Sequence, residues 1–452
     1  MHAQGDLSPI APAIIAGAGP ERAAGMGMER WAVAATVAGN ALEFYDFLVY
    51  STFATYIARA FFPSGNATAG LLLTLATFAV GFVTRPLGGL LIGAYADRAG
   101  RRPALTLTFG LMALGSLGLA ATPSYATIGA VAPLLLVATR LIQGLALGGE
   151  VGAATAVLLE SAPPGQRGRY VSWQNASQGM AILAAGIVGV ALSRLLDTAQ
   201  MRDWGWRIPF ALGLSIVPLG MYLRRRLPET RAAPGGRGGA SPIGMLWRER
   251  RRPLVLAVLI IIGPTVSTYV TNFMTTYALT TLGMPAAQAM FATIANGACM
   301  VVGAVWGGRL CDRFGRRPIM ILPRLVLVLT AYPAFSLIIH HATTAMLVGV
   351  TGCMTLLTVV SGAAAITAVT ESFPNATRCS GLAIAYALAV SVFGGTTQFV
   401  IAWLTHASGD PMSPAYYLML TSAVSLWSMT KLSAPADDCS PRLPWPPAPA
   451  SG

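Results

Sequence analysis

The chain has 452 residues, of which 54% are hydrophobic and only 10% are charged. Because soluble globular proteins carry about 25% charged residues, this composition excludes a soluble protein and indicates a polytopic membrane protein. The formal charge of +13 would suggest nucleic-acid binding in a soluble chain. Here the arginines lie in short loops, where they orient a protein in a membrane. We therefore expect the lipid bilayer as a partner and no nucleic acid.

Apolar segments long enough to cross a bilayer as helices of about 20 residues recur along the whole chain. They predict an all-α membrane protein with twelve transmembrane helices, numbered here span 1 to span 12. The last of them is short and polar for a span. The predicted spans cover residues 31–58, 70–95, 103–121, 127–159, 170–195, 206–223, 253–282, 287–310, 318–339, 344–371, 380–405 and 415–431.

A long basic loop at 224–252, which contains nine arginines, divides the chain into two halves of six spans. We expect an N-terminal six-helix bundle at 31–223 and a C-terminal six-helix bundle at 253–432. Residues 1–30 and the Pro-rich residues 433–452 are expected to be cytoplasmic tails, the first of them disordered. The arginines concentrate in the loops after the even-numbered spans, which predicts that these loops and both termini are cytoplasmic.

Two motifs repeat between the halves. GAYADRAGRR at 93–102 returns as GRLCDRFGRR at 308–317, and ESAPPGQR at 160–167 returns as ESFPNATR at 371–378. Parallel repeats of this kind form one known transporter plan. The repeats predict two pseudo-symmetric bundles around a central cavity.

The GxxxDRxGRR pattern lies at two predicted turns, after span 2 and after span 8. Its glycines allow close helix approach and a tight turn, and its aspartate can meet a helix N-terminus or an arginine. The alternative is a basic loop that only orients the protein. We interpret the pattern as a conformational latch formed by Gly93, Asp97, Arg98, Gly100, Arg101, Arg102, Asp312, Arg313, Arg316 and Arg317.

Five ionisable residues fall inside spans of the N-terminal half: Glu43, Asp46, Arg85, Arg140 and Glu150. A charge at the bilayer centre costs at least about 2.5–3.5 kcal/mol, so such residues are candidates for function. The alternative is that acids and arginines pair only to hold the bundle together, or that Glu150 braces span 4. We expect the acids and the arginines to share a water-lined vestibule at mid-depth.

Glu43 and Asp46 lie on one face of span 1, about a turn apart. Two acids in a low-dielectric wall repel each other, so one of them should hold a proton near neutral pH, as proton coupling requires. Arg85 and Arg140 would form a positive site suited to carboxylates, because guanidinium groups bind carboxylates with paired donors.

Polar side chains add candidates for substrate binding. Gln174 and Gln178 lie one turn apart in span 5, and Tyr386 lies in span 11. The alternative for each is an interhelical hydrogen bond. We find no nucleotide-binding P-loop, no catalytic motif and no cluster of metal ligands in the sequence. The chain is therefore expected to be neither an enzyme nor a metal- or cofactor-dependent protein.

Together, GNALEFYDFLVY (39–50), RLIQGLALGGE (140–150), SWQNASQG (172–179) and YALAVSVFGGTTQ (386–398) resemble the metabolite–proton symporters of the major facilitator superfamily, and most closely the bacterial citrate–proton symporters. The resemblance implies a monomer of the bacterial inner membrane, without a cofactor, that imports citrate or a related tricarboxylate with protons by alternating access.

The resemblance also implies roles for individual residues. It implies substrate contacts at Arg85, Arg140, Gln174 and Gln178, and proton-linked roles at Glu43 and Asp46. From their positions inside spans, we also expect Tyr386 to contact the substrate and Glu150 to have a proton-linked role. The alternative cargo is α-ketoglutarate, shikimate, or a zwitterion such as betaine or proline. A receptor that binds solute without moving it is a further alternative.

Overall fold

The computed structural model describes residues 20–63, 66–99, 101–160, 162, 166–225, 251–373 and 378–432. Helices account for almost all of them. Spans 1 to 6 comprise Pro20–Thr52 with Ala54–Phe61, Ala67–Val83 with Arg85–Ala99, Arg101–Ala121, Val131–Glu160, Arg167–Leu195 and Ile208–Arg225. Spans 7 to 12 comprise Arg251–Thr280, Ala286–Phe314, Arg316–His340, Thr344–Glu371, Arg378–Ala389 continued to Ser408, and Ser413–Lys431.

This architecture confirms the predicted all-α fold of twelve spans in two bundles. Within the described residues, eight helices are long and apolar enough to cross a membrane, judged by length and composition alone. Span 12 is a helix of 19 residues that packs against spans 7 and 9. Span 1 begins at Pro20, ahead of the predicted start at residue 31. Residues 1–19, 226–250 and 433–452, which include most of the predicted tails and linker, lie outside the described residues.

Two spans depart from regular α-helical geometry. Span 2 is interrupted at Thr84, just before Arg85 and Pro86, and proline is tolerated there because it occupies the first turn of a new helical segment. The Thr84 hydroxyl donates to the Leu141 carbonyl of span 4 at 2.9 Å. Span 11 contains a π-helical turn at Val390–Gly394, a feature frequent at functional sites.

Each bundle has its own apolar core. One core is built mainly from the N-terminal spans, and includes Phe47, Phe78 and Trp206. The other is built mainly from the C-terminal spans, and includes Phe273 and Phe335. The bundles meet most closely along spans 5 and 8, where glycines let the two helices approach. This interface is where side chains from both halves come together.

Candidate functional site

Glu43 and Asp46 line a small cavity inside the N-terminal bundle, which we call the acid pocket. Both side chains are buried, at 1% and 4% exposure. The centre of a water molecule can occupy about 10 Å³ inside this cavity. The cavity therefore has room for about one water molecule. It lies between spans 1, 3 and 6 and is lined by Leu42, Glu43, Asp46, Phe109, Met112, Ala113, Gly213 and Val217.

Asp46 is held by a short chain of hydrogen bonds that links spans 1, 3 and 4. The Ser116 hydroxyl donates to Asp46 Oδ2 at 2.7 Å, and Gln143 Nε2 donates to the Ser116 oxygen at 3.1 Å. Asp46 Oδ1 is buried and has no hydrogen-bond donor within the described ranges. Gly213 leaves room for that oxygen, because a Cβ atom at this position would collide with it. One oxygen of Asp46 is thus fixed and the other faces the pocket.

Arg140 lies close enough to Asp46 for the two charges to attract each other. Its side chain has no exposure to solvent, and none of its three guanidinium nitrogens has a hydrogen-bond acceptor among the described side chains and backbone. The guanidinium carbon lies 3.7 Å from the centre of the Tyr50 ring, which is a cation–π contact. Arg140 is therefore stabilised by a ring and by a nearby carboxylate rather than by a closed ion pair.

Arg85 lies at the boundary between the two bundles. Its guanidinium carbon lies 3.9 Å from the centre of the Phe82 ring and 4.7 Å from that of Phe47. It lies within electrostatic range of Tyr269 of span 7, in the other bundle. Nε and Nη2 of Arg85 are buried, and the described residues offer neither of them an acceptor. Arg85 thus contacts both halves of the protein and keeps one donor edge open.

Gln178 and Tyr386 form a second polar contact between the bundles. The two side chains lie beside each other, and Tyr386 also lies within electrostatic range of Tyr269 and Arg85. Arg85, Gln178, Tyr269 and Tyr386 therefore form one group, contributed by spans 2, 5, 7 and 11. We call this group the interface cluster. Three of its members, Arg85, Gln178 and Tyr386, are predicted substrate-binding residues.

Gln174 lies in a different environment from Gln178, one turn away. Its Nε2 donates to Asn40 Oδ1 at 3.1 Å, and Asn40 in turn donates to Ser177. The Oε1 atom of Gln174 is buried without a donor. Gln174 thus joins span 5 to span 1 within the N-terminal bundle. The predicted single vestibule is therefore divided into the acid pocket and the interface cluster, with Gln174 outside both.

Contacts between the bundles occur toward both ends of the interface. At the end where span 5 begins, the Asp312 carboxylate accepts hydrogen bonds from the backbone N–H groups of Gly168 at 3.1 Å and Arg169 at 3.0 Å. Toward the opposite end, Gln398 Nε2 of span 11 donates to the Ser51 hydroxyl of span 1 at 2.6 Å. These contacts join the N-terminal and C-terminal bundles.

The second copy of the repeated motif shows how its charges are used. Gly315 has a φ of 86°, a value that favours glycine, and makes the predicted tight turn. Arg316 pairs side-on with Glu371 of span 10, with Nε to Oε2 at 3.1 Å and Nη2 to Oε1 at 2.9 Å. Arg317 donates to the Leu432 carbonyl at 2.6 Å, and Arg313 lies over the Phe314 ring. The motif thus ties spans 8, 9, 10 and 12 together.

Several predicted site residues lie where side chains are not described. They are Gly93, Asp97, Arg98, Gly100, Arg101, Arg102 and Glu150. The residues that sequence reasoning did not select include Ser116 and Gln143, which support Asp46. They also include Arg324, a fully buried arginine of span 9. Small polar residues such as Ser116 are common in apolar helices, so the sequence does not distinguish them. A charged residue inside a predicted span is uncommon, and Arg324 could have been selected from the sequence on that ground.

Comparisons with known proteins agree with this architecture. A family described as sugar (and other) transporter matches residues 31–232 and 236–434. The citrate-proton symporter of Klebsiella pneumoniae is 35% identical and covers 87% of this chain and 90% of its own. The alpha-ketoglutarate permease of Escherichia coli is 36% identical, with coverages of 82% and 86%. The proline/betaine transporter of Escherichia coli is 34% identical, with coverages of 88% and 82%.

A solved structure of a D-xylose-proton symporter shares the fold. It superposes with a TM-score of 0.72 at 20% identity, and the match covers 90% of this chain and 98% of that one. Within the described ranges, no three His, Cys, Asp or Glu side chains come together in a way that could hold a metal ion. The extent of the family match confirms the predicted resemblance: the chain belongs to the sugar (and other) transporter family within the major facilitator superfamily, and it is a multi-pass membrane transporter and not an enzyme.

Proposed function

We propose that the protein imports citrate or a related tricarboxylate together with protons, using the proton gradient and no cofactor. It would act as a monomer in a bacterial inner membrane with both termini cytoplasmic. The observation that carries this proposal is the open Nε–Nη2 edge of Arg85, buried between the two bundles. The identity to citrate-proton symporters supports the same cargo.

The open edge of Arg85 has the geometry that binds a carboxylate. In this same chain, Arg316 uses its Nε and Nη2 atoms to hold Glu371 side-on. Side-on guanidinium–carboxylate pairs are charge-assisted and orient the anion. Tyr269 and Tyr386 bring hydroxyl groups from the other bundle to the same place. A substrate carboxylate on Arg85 would therefore touch both halves of the carrier, with Gln178 and Tyr386 completing the site.

Asp46 is the proposed proton carrier, assisted by Glu43 in the same pocket and by Glu150 in span 4. When Asp46 is charged, it attracts Arg140. A proton on Asp46 removes that attraction and leaves Arg140 available for the anion. Proton binding and anion binding then strengthen each other, as thermodynamic linkage requires. Gln174, hydrogen-bonded to Asn40 beside this region, is proposed to contact the substrate from span 5.

A continuous set of rings connects the two sites. Tyr50 lies over Arg140 and stacks on Phe78, with ring centroids 5.8 Å apart. Phe78 in turn meets Tyr269 at 6.3 Å. Packed side chains of this kind can transmit a rearrangement from one site to another. In our proposal, protonation at Asp46 changes the position of Arg140 and, through these rings, the interface cluster.

The second candidate cargo is another small organic acid or a zwitterion. Tyr269, Tyr386 and Phe82 place aromatic rings around Arg85, and rings bind the cation of a betaine. The α-ketoglutarate and proline/betaine relatives have similar identity to this chain. The two buried guanidinium groups favour a substrate with more than one carboxylate, which is why we place citrate first.

A thermal-shift screen of purified protein tests the cargo. We expect citrate or tricarballylate to raise the melting temperature more than α-ketoglutarate, shikimate or betaine. Arg85→Gln should abolish the citrate shift, whereas Arg194→Gln, an exposed arginine of span 5, should retain it. A betaine shift that exceeds the citrate shift in the wild type would reject citrate as the substrate.

A further inference from the structure

Arg324 is a fully buried arginine in the C-terminal bundle that the transport proposal does not use. It lies in span 9 and has no solvent exposure. Nη1 donates to the Ser267 hydroxyl of span 7 at 2.8 Å and to the Ser422 hydroxyl of span 12 at 3.4 Å. The side chain therefore lies inside the bundle between spans 7, 9 and 12, away from the interface cluster.

The other donor edge of Arg324 is open. Nε and Nη2 are both buried, and neither has a hydrogen-bond acceptor in the part of the chain that the structure describes. Among the described residues, no carboxylate is close enough to offset the burial of this charge. Arg316, only two turns away in the same span, has the same edge filled by both oxygens of Glu371. The Nε and Nη2 donors are thus bound to a carboxylate in Arg316 and have no bound acceptor among the described residues in Arg324.

The place that Arg324 occupies corresponds to the acid pocket of the other bundle. The motif at 308–317 repeats the motif at 93–102, so span 9 is the counterpart of span 3, and spans 7 and 12 are the counterparts of spans 1 and 6. The acid pocket lies between spans 1, 3 and 6. One bundle therefore buries acids at this position and the other buries a cation, without a countercharge among the described residues.

We propose that the Nε–Nη2 edge of Arg324 binds one small monovalent anion inside the C-terminal bundle. A buried positive charge without a partner is costly, and an anion on two donors removes that cost. The Ser422 hydroxyl can donate its hydrogen to the same anion. The chemistry fits chloride from the medium or a single short carboxylate. This site is separate from the proposed cargo site, because Arg324 lies inside the C-terminal bundle and Arg85 lies at the boundary between the two bundles.

The wild-type protein provides the first test. Crystals grown in sodium bromide should show an anomalous bromide peak within hydrogen-bonding reach of Nε and Nη2 of Arg324. The melting temperature should also rise in a saturable way when sodium chloride or sodium acetate replaces sodium gluconate at constant ionic strength. Whichever of the two anions gives the rise identifies the natural source. If no peak appears beside Arg324 and neither anion stabilises the protein, the proposal is rejected.

A variant comparison provides the second test. Arg324→Met replaces the buried charge with an apolar side chain of similar length, a change that proteins often tolerate. We expect this variant to lose the anion-dependent rise in melting temperature. Arg309→Met, at an exposed position of span 8, should keep it. An equal rise in both variants would overturn the assignment, and the bromide experiment on the wild type decides the matter if Arg324→Met does not fold.

Discussion

Asp312 caps the beginning of span 5 from the opposite bundle, with its carboxylate 3.1 Å from the backbone nitrogen of Gly168. A carboxylate at a helix N-terminus pairs with free N–H groups and with the positive end of the helix dipole. Both partners of this contact are at the end of the protein where the repeated motifs lie. The contact therefore links the two bundles at that end.

Loss of this cap should open that end of the carrier. We expect Asp312→Ala to speed maleimide labelling of Ser172→Cys, whose native side chain is buried beside Gly308, in a background without the five native cysteines. Asp312→Asn keeps one acceptor oxygen and should give an intermediate rate. Equal labelling rates in the three proteins would show that the cap does not control the opening.

Gly213 should tolerate no side chain, because a Cβ atom there would collide with Asp46 Oδ1. We expect Gly213→Ala to lower proton-coupled uptake strongly while the protein still folds, since the collision displaces the carboxylate. Gly110→Ala in span 3 is the matched control, because a Cβ atom at that position meets nothing within 4 Å. Uptake assays and melting temperatures of both variants check this. Normal uptake by Gly213→Ala would contradict the role given to the position of Asp46.

Tyr269 should fix the orientation of Arg85. Tyr269→Phe removes a hydroxyl that lies within electrostatic range of the guanidinium, and a polar interaction with a charged group contributes about 1.5 kcal/mol. We expect the apparent affinity for substrate to fall about 10-fold or more, with a smaller change in maximal uptake. Concentration-dependent uptake measures both quantities. An unchanged affinity would remove Tyr269 from the site.

The ion pair of Arg316 and Glu371 should stabilise the C-terminal bundle only modestly. The two side chains are 31% and 26% exposed, so solvent screens the interaction, and we expect a coupling free energy of no more than about 1 kcal/mol. A double-mutant cycle with Arg316→Ala and Glu371→Ala, read by unfolding, measures it. A coupling of several kcal/mol would indicate that this pair contributes to stability as a buried pair does.

Much of the architecture could be predicted from the sequence. The length of each apolar segment matches the thickness of the bilayer, and the repeated motifs indicate two similar halves. The burial of Glu43, Asp46, Arg85 and Arg140 was also predictable, since a charge inside an apolar helix must face the protein interior. Their separation into two sites was not. Gln174 and Gln178 lie one turn apart in span 5, but they face different partners. Those partners depend on how spans 1 and 11 pack against span 5, and the sequence does not reveal this packing.

The most direct test of the central claim is uptake of labelled citrate into proteoliposomes with an imposed pH gradient, acidic outside. The wild type should accumulate citrate above equilibrium, and collapse of the gradient should stop the accumulation. Asp46→Asn should bind citrate but lose the response to the gradient. If Asp46→Asn still concentrates citrate in response to the pH gradient as the wild type does, the proposed coupling between Asp46, Arg140 and the substrate is wrong.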